Sequence, residues 1–187
     1  MKLHSIKLLV LAVLVLSTSV AHGLTFDQVL VERWVGAGSS RALLVVDFGA
    51  KSFAFGYCFD GQQTGWDLIR TVADATELDV AVDMSWGSPF ITGISYQGFA
   101  GYYDPQNWQT SRWWEYWNSA DGETWASSWV GCSDRVLADG AWDGWTFSPP
   151  WPEQGTPPKV PLVPEPSTLG GAFPIIGLAV FKLLRRK

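Results

Sequence analysis

The sequence predicts an α+β domain, a mostly antiparallel β-sheet with one helix at about residues 64–75. Three observations carry this expectation. Short runs rich in β-branched and aromatic residues are separated by Gly-containing turn clusters, the punctuation of a strand-rich chain. Aromatic side chains alternate along several of these runs with the two-residue period of a strand. One stretch instead carries a helical apolar stripe behind a start signal.

In chain order, Gln28–Val35 (QVLVERWV) is the first strand-like run, followed by the turn cluster Gly36-Ala37-Gly38-Ser39-Ser40. Ala42–Phe48 (ALLVVDF) is the second, broken by Gly49-Ala50-Lys51. Ser52–Phe59 alternates, with Phe53, Phe55, Tyr57 and Phe59 on one face. The three read as a strand meander. The early Gly-x-Gly cluster lacks a third glycine and joins two strand-like runs, so it is not a dinucleotide loop. Thr64 and Asp67 have the spacing of a capping box, and Leu68, Ile69, Val72 and Ala73 fall on one helical stripe over Thr64–Ala75. Leu78–Met84 and Phe90–Tyr96 are further strands.

An aromatic region follows. Nine of the twelve tryptophans lie between Trp108 and Trp151. In Arg112–Asn118, Trp113, Glu115 and Trp117 share one face and Trp114 and Tyr116 the other. Ala120-Asp121-Gly122-Glu123 is a hairpin turn signal, and Thr124–Val130 supplies the returning strand. Asp139-Gly140 and Asp143-Gly144 read as further turns before Trp145-Thr146-Phe147. Two readings of these indoles stay open: a core and inter-sheet packing built from Trp, or an aromatic platform that stacks sugar faces or a flat ring system. Trp on both faces of one strand argues that one face has work besides packing. Trp113, Trp114, Trp117 and Trp125 are the stacking candidates.

The ends of the chain are addresses rather than core. Lys2 and Lys7, the nine-residue apolar run Leu8–Leu16 and the small residues Ser19-Val20-Ala21 read as a secretory signal over residues 1–21, with cleavage after Gly23 as a second option. The run is too short for a membrane span. The exported domain then covers residues 24–150, a Pro-rich linker residues 151–162, and a tail residues 163–187. Pro149–Pro166 holds eight prolines in 18 residues, the composition of an extended spacer. Leu169–Leu184 is a short apolar segment interrupted by Lys182 and ended by Arg185-Arg186-Lys187, which reads as a weak stop-transfer segment.

Composition excludes several chemistries. Both histidines, His4 and His22, lie at or before the cleavage region, which removes Ser-His and Cys-His catalysis and His-ligated zinc from the mature domain. No nucleophile elbow or P-loop is present. A glycosidase-like carboxylate pair is available in number, but most acidic residues sit beside glycines or on polar strand faces. The domain therefore reads as non-enzymatic, with no cofactor implied. Calcium at Asp139 and Asp143 lacks EF-hand spacing. Residues 24–159 hold 17 Asp/Glu against 7 Lys/Arg, a net −10 that repels nucleic acid. Export permits disulfides, and Cys58 and Cys132 have no CxxC or His neighbour. A Cys58–Cys132 bridge would stabilise by about 4 kcal/mol in the chain-entropy model; two free buried thiols are the alternative.

Val163-Pro164-Glu165-Pro166-Ser167-Thr168, the apolar stretch and the Arg-rich end resemble a PEP-CTERM sorting signal. The resemblance covers the last 25 residues. It implies export by the Sec translocon from a Gram-negative bacterium, a transient inner-membrane anchor, and processing by exosortase, with Val163, Pro164, Glu165 and Pro166 as the sorting motif. It further implies a cell-surface or matrix destination, with extracellular polysaccharide as a partner. A second resemblance concerns the domain. Arg112–Trp117, Trp125, Gly131, Asp143–Phe147 and the stretch Phe55–Leu68 look like the Trp-rich pattern of small exported domains, including the β-grasp-like DUF4430 domain at the end of transcobalamin. That likeness implies a β-grasp-like arrangement and a corrinoid or cobalamin ligand.

Overall fold

The computed structural model describes residues 23–164; the signal segment and the tail from Glu165 onward lie outside the described residues. The domain is α+β, with nine strands and one α-helix among those residues. Strands β1 (Val31–Gly36), β2 (Ser40–Asp47), β3 (Ser52–Phe59), β7 (Trp113–Ser119), β8 (Trp125–Ser127) and β9 (Ala141–Ser148) form one sheet in the order β1-β3-β2-β9-β7-β8. Strands β4 (Asp79–Asp83), β5 (Phe90–Tyr96) and β6 (Phe99–Tyr102) form a second, antiparallel sheet. Most pairings are antiparallel, but β1 runs parallel to β3 and β2 parallel to β9.

The expected meander of the first three runs is corrected: β3 lies between β1 and β2. The connection from β1 to β2 must therefore arch over the end of β3. Gly36 and Gly38 have φ of +73° and +148°, and a Cβ on Gly38 would collide with the backbone of Phe59 and Asp60. Only glycine permits a crossing that close.

The helix α1 (Gly65–Ala75) begins as the sequence predicts. Thr64 Oγ1 accepts from the Asp67 amide at 3.2 Å, and the Thr64 amide donates to Asp67 Oδ2 at 3.0 Å, a reciprocal capping box. It ends where Thr76 Oγ1 donates to the Val72 carbonyl at 2.7 Å. Leu68, Ile69 and Val72 are buried against the front face of the large sheet, with Phe53, Phe55, Tyr57 and Phe59 of β3 in the same core. The small sheet covers the rest of that face. Tyr96 meets Phe53 and Phe55 edge-on at 4.8 and 5.1 Å between centroids, and Phe99 packs on Phe48 and Phe53.

The back face is also covered. Leu43, Val45, Ala54 and Trp142 form a second core with Leu24, Phe26, Trp125 and Val160. Its cover comes partly from the Pro-rich segment that composition assigns to a spacer. Residues 155–163 lie along the back of the sheet instead. Pro158 is buried over Gly144 beside Trp125. The Lys159 amide donates to Asp47 Oδ2 at 2.9 Å, the Leu30 amide to the Pro161 carbonyl at 2.8 Å, and the Val163 amide to the Gln28 carbonyl at 2.9 Å. A proline-rich chain suits this role because extended backbone costs it little entropy. With both faces covered, β2 is buried from Ala42 to Asp47, as a central strand with an uninterrupted apolar run should be.

The two cysteines are free thiols. Cys58 alternates with the inward-facing Tyr57 and Phe59, so it shares the back face with Ala54, whereas Cys132 belongs to the front core. The sheet separates them, and a disulfide requires the two Cβ atoms on one side within bonding reach. Asp143-Gly144, read from the sequence as a turn, lies inside the long strand β9; Gly144 is there because Pro158 and Trp125 occupy the space a side chain would fill. Among the described residues no helix is long and apolar enough to cross a membrane.

Candidate functional site

The tryptophans divide by environment. Trp114 and Trp117 are only 2% and 4% exposed. The Trp114 indole donates to the Gly101 carbonyl at 2.9 Å, and that of Trp117 to Thr146 Oγ1 at 2.8 Å. Trp125 packs edge-on to Trp142, with its indole donating to the Gly122 carbonyl at 3.0 Å. Trp114 and Trp117 are buried packing residues with satisfied donors, so as stacking candidates they are corrected; Trp125 is half-buried with its donor satisfied. Trp113 is likewise half-buried and borders an open surface.

That surface is an aromatic groove of about 260 Å³ lined by Phe90, Tyr103, Trp108, Ser111, Trp113 and Trp151. Each wall is set by local chemistry. Phe90 opens β5 directly after Pro89, and Tyr103 follows β6, its amide donating to the Thr92 carbonyl at 2.7 Å. Their rings meet edge-on at 5.7 Å. Trp108 ends a 3₁₀ turn, Pro105–Asn107, capped by Asp104, whose carboxylate accepts from the Gln106 amide at 2.9 Å and the Asn107 side chain at 2.7 Å. These donors hold the Asp104 carboxyl below its usual range. Trp151 sits in the turn closed by the Glu153 amide on the Pro150 carbonyl at 3.0 Å. Trp108 and Trp151 are 53% and 69% exposed, a large apolar area left in water. Neither was singled out as a stacking candidate from the sequence. The available signal was position: each stands in a turn-forming or Pro-rich segment, outside any strand that could bury it.

A second cavity of about 160 Å³ shares Phe90 and Trp113 with the groove. It lies where β7 is an open edge, since β8 pairs only with Trp117–Ser119. Ile91, Trp114, Tyr116, Val130 and Trp145 supply most of its apolar wall. Glu115 also borders it, but its two carboxylate oxygens accept from Ser127 and Ser148 hydroxyls at 2.9 Å each. Trp113 and Trp145 both line this cavity, and their indole N–H groups are buried with no acceptor among the described residues. Buried donors are rarely left so.

Behind the cavity lies a buried polar cluster. The Tyr116 hydroxyl donates to Asp143 Oδ2, and Arg135 Nε lies 3.5 Å from Asp143 Oδ1. Burial pushes the Asp143 carboxyl up to about 6, with Tyr116 and Arg135 opposing the shift. Burial likewise raises the Tyr116 hydroxyl and pushes the Cys132 thiol up to about 12. The first amides of α1 are already engaged: Gly65 donates to the Arg135 carbonyl and Trp66 to the Cys132 carbonyl, both at 2.9 Å. Asp139, the other calcium candidate, accepts from the Arg41 amide at 2.8 Å through its Oδ1. Among the described residues no group of three His, Cys, Asp or Glu side chains is placed to hold a metal ion.

A larger depression of about 320 Å³ lies between the segment Leu24–Asp27 and Arg41, Ala120, Asp139, Gly140 and Trp142. Its guanidinium rests over the Phe26 and Trp34 rings at 5.6 and 5.5 Å, and its walls carry mainly groups committed to the fold. The aromatic groove and its inner cavity are the stronger site. Of the sorting motif, Val163 and Pro164 are exposed at the domain edge, and Glu165 and Pro166 lie outside the described residues. No family model matches the chain, and no curated protein matches it.

Proposed function

We propose that the chain is an exported, exosortase-sorted cell-surface or extracellular-matrix protein of a Gram-negative bacterium, with a non-enzymatic domain that binds an extracellular polysaccharide. The observation that carries the binding role is the groove formed by Phe90, Tyr103, Trp108, Trp113 and Trp151. Indole faces suit the axial C–H faces of pyranose rings, and their amphipathic edges tolerate the surrounding water. The site is concave and mostly apolar, as small-ligand sites are. The export signal and the Val163–Pro166 motif support the destination, where polysaccharide is the abundant ligand. The acidic domain disfavours nucleic acid.

Calorimetric titration of the purified domain against a panel of neutral bacterial and plant glycans tests the binding role. At least one glycan binds saturably. Trp108→Ala and Trp151→Ala each weaken it by about tenfold or more, the scale of an anchoring aromatic, while melting within about 0.5 kcal/mol of the parent, since both side chains are largely exposed. Absence of binding across the panel, or saturable binding of cobalamin in a parallel titration, rejects the reading. Mass spectrometry of the native protein tests sorting separately: a product ending before the apolar segment supports it, and an intact tail counts against it.

A further inference from the structure

We infer that the aromatic groove is the middle of an extended cleft, which holds several consecutive units of one neutral, linear glycan chain rather than a single terminal sugar. This rests on the carbohydrate reading above and names the substrate class. The first observation is continuity. The inner cavity shares Phe90 and Trp113 with the groove. The groove in turn shares Trp108 with a further depression of about 170 Å³, lined by Gln106, Asn107, Gln109 and Thr110. Three depressions therefore run on from one another across aromatic walls, and the groove is continued past Trp113 as well as past Trp108. A site for one chain end needs no such continuation.

The second observation is two further indoles in water. Trp129 is fully exposed and stands between Ser128 and Val130, both of which line the inner cavity. Trp86 is 80% exposed in the turn that joins β4 to β5, where Asp83 pairs with Phe90. With Trp108 and Trp151, four indoles left mostly in water belong to segments that border one stretch of surface. Trp34, the other exposed tryptophan among the described residues, lies instead under the Arg41 guanidinium. An exposed aromatic cluster of this extent marks a binding surface.

The third observation is charge. Residues 24–159 hold 17 Asp/Glu and 7 Lys/Arg, yet the segments 84–89, 103–111, 128–131 and 149–152 contain one charged residue, Asp104. Its carboxylate is taken up by the Gln106 amide and the Asn107 side chain. Arg112, next to these segments, rests on the Phe147 ring at 4.5 Å and donates to the Phe147 carbonyl. Indole faces interspersed with uncharged amides and hydroxyls match the C–H faces and hydroxyl edges of neutral sugars. An anionic chain finds no cation within these segments.

Calorimetry of the purified mature protein with β-1,4-glucan, β-1,4-mannan and β-1,3-glucan oligomers, each as disaccharide, tetrasaccharide and hexasaccharide, tests the cleft. In at least one series the hexasaccharide binds about tenfold or more tightly than the disaccharide, the contribution of an added aromatic anchor. Trp86→Ala and Trp129→Ala each reduce this length preference, and together they bring the ratio towards one while leaving the disaccharide affinity unchanged. Trp108→Ala, inside the groove, weakens every length. Both outer side chains are at least 80% exposed, so these variants melt with the parent. Equal affinity at all lengths overturns the extended cleft and leaves the carbohydrate reading standing. A length preference that survives the Trp86→Ala, Trp129→Ala double substitution overturns the assignment of the outer indoles. Binding of no oligomer in any series overturns the cleft; if the wider panel is also silent, the carbohydrate reading falls with it. Sedimentation with phosphatidylcholine vesicles that the double substitution abolishes also overturns the cleft, because it assigns these indoles to a lipid surface.

Discussion

Replacing Asp143 with asparagine should remove a specific pH dependence of stability. Asp143 is 1% exposed, accepts from the Tyr116 hydroxyl and faces Arg135 at 3.5 Å. Burial outweighs these two partners and moves its carboxyl from 3.8 up to about 6. A folded-state value above the unfolded one means that folding takes up a proton in the interval between them. The contribution is fully present below pH 3.8 and is lost as pH rises through about 6. A displacement of about 2 units at about 1.4 kcal/mol each corresponds to about 3 kcal/mol. Tyr116 and Cys132 beside it are both pushed upward, away from this window. Asp60, Asp83, Asp104 and Asp121 act with the opposite sign: amide and side-chain donors lower them, so their stabilisation is lost on acidification. They are present in both proteins and cancel in the difference. Urea denaturation of the parent and Asp143→Asn at intervals from pH 4 to pH 7 reads the effect. The parent should lose about 2 kcal/mol relative to the variant across that range, the part of the effect that lies above pH 4. A constant difference, or one that moves the other way, refutes burial as the dominant influence on this carboxyl.

Two further outcomes follow from the same interior. Gly65→Ala places a methyl against the Tyr116 hydroxyl, the Asp143 carboxylate and the Cys132 carbonyl. It should lower stability by about 1–3 kcal/mol through overpacking, although alanine is ordinarily the better helix former by about 1 kcal/mol; a raised urea midpoint would contradict this. Unreduced, denatured protein should take up two iodoacetamide adducts, since Cys58 and Cys132 are free thiols separated by the sheet. In the native state Cys58 should react first, because Cys132 is 1% exposed and its thiol is held protonated. A disulfide-linked peptide pair would place both cysteines on one face and disprove the strand alternation described for β3.

What the sequence disclosed follows the range of the interactions involved. The capping box at Thr64 and Asp67, the stripe of Leu68, Ile69 and Val72, and the alternation of Phe53, Phe55, Tyr57 and Phe59 are local patterns, and each appears in place. The hairpin turn around Asp121 and Gly122 is equally local: Asp121 Oδ1 accepts from the Glu123 and Thr124 amides at 3.0 and 2.7 Å. Strand order is not local. Nothing within Gln28–Phe59 says that β3 enters between β1 and β2, because that choice depends on β9 pairing with β2 from a hundred residues further on. Asp143-Gly144 misleads for the same reason. The pair has turn composition, yet the aspartate answers to Tyr116 and Arg135 and the glycine to Pro158 and Trp125. Composition also marks residues 151–162 as spacer, and only the apolar strip of Leu43, Val45 and Trp142 behind the sheet gives Pro158 and Val160 somewhere to go. The site obeys the same division. Strand alternation separates Trp113 from Trp114 correctly, but it cannot say that Trp117, on the same face as Trp113, is buried with its indole on Thr146. Trp108 and Trp151 are left in water on turns, where no period exists to read, and so are Trp86 and Trp129. The most informative indoles of this domain are therefore the ones that break its patterns: those exposed on turns where nothing buries them, and two whose N–H is buried where nothing accepts its hydrogen bond.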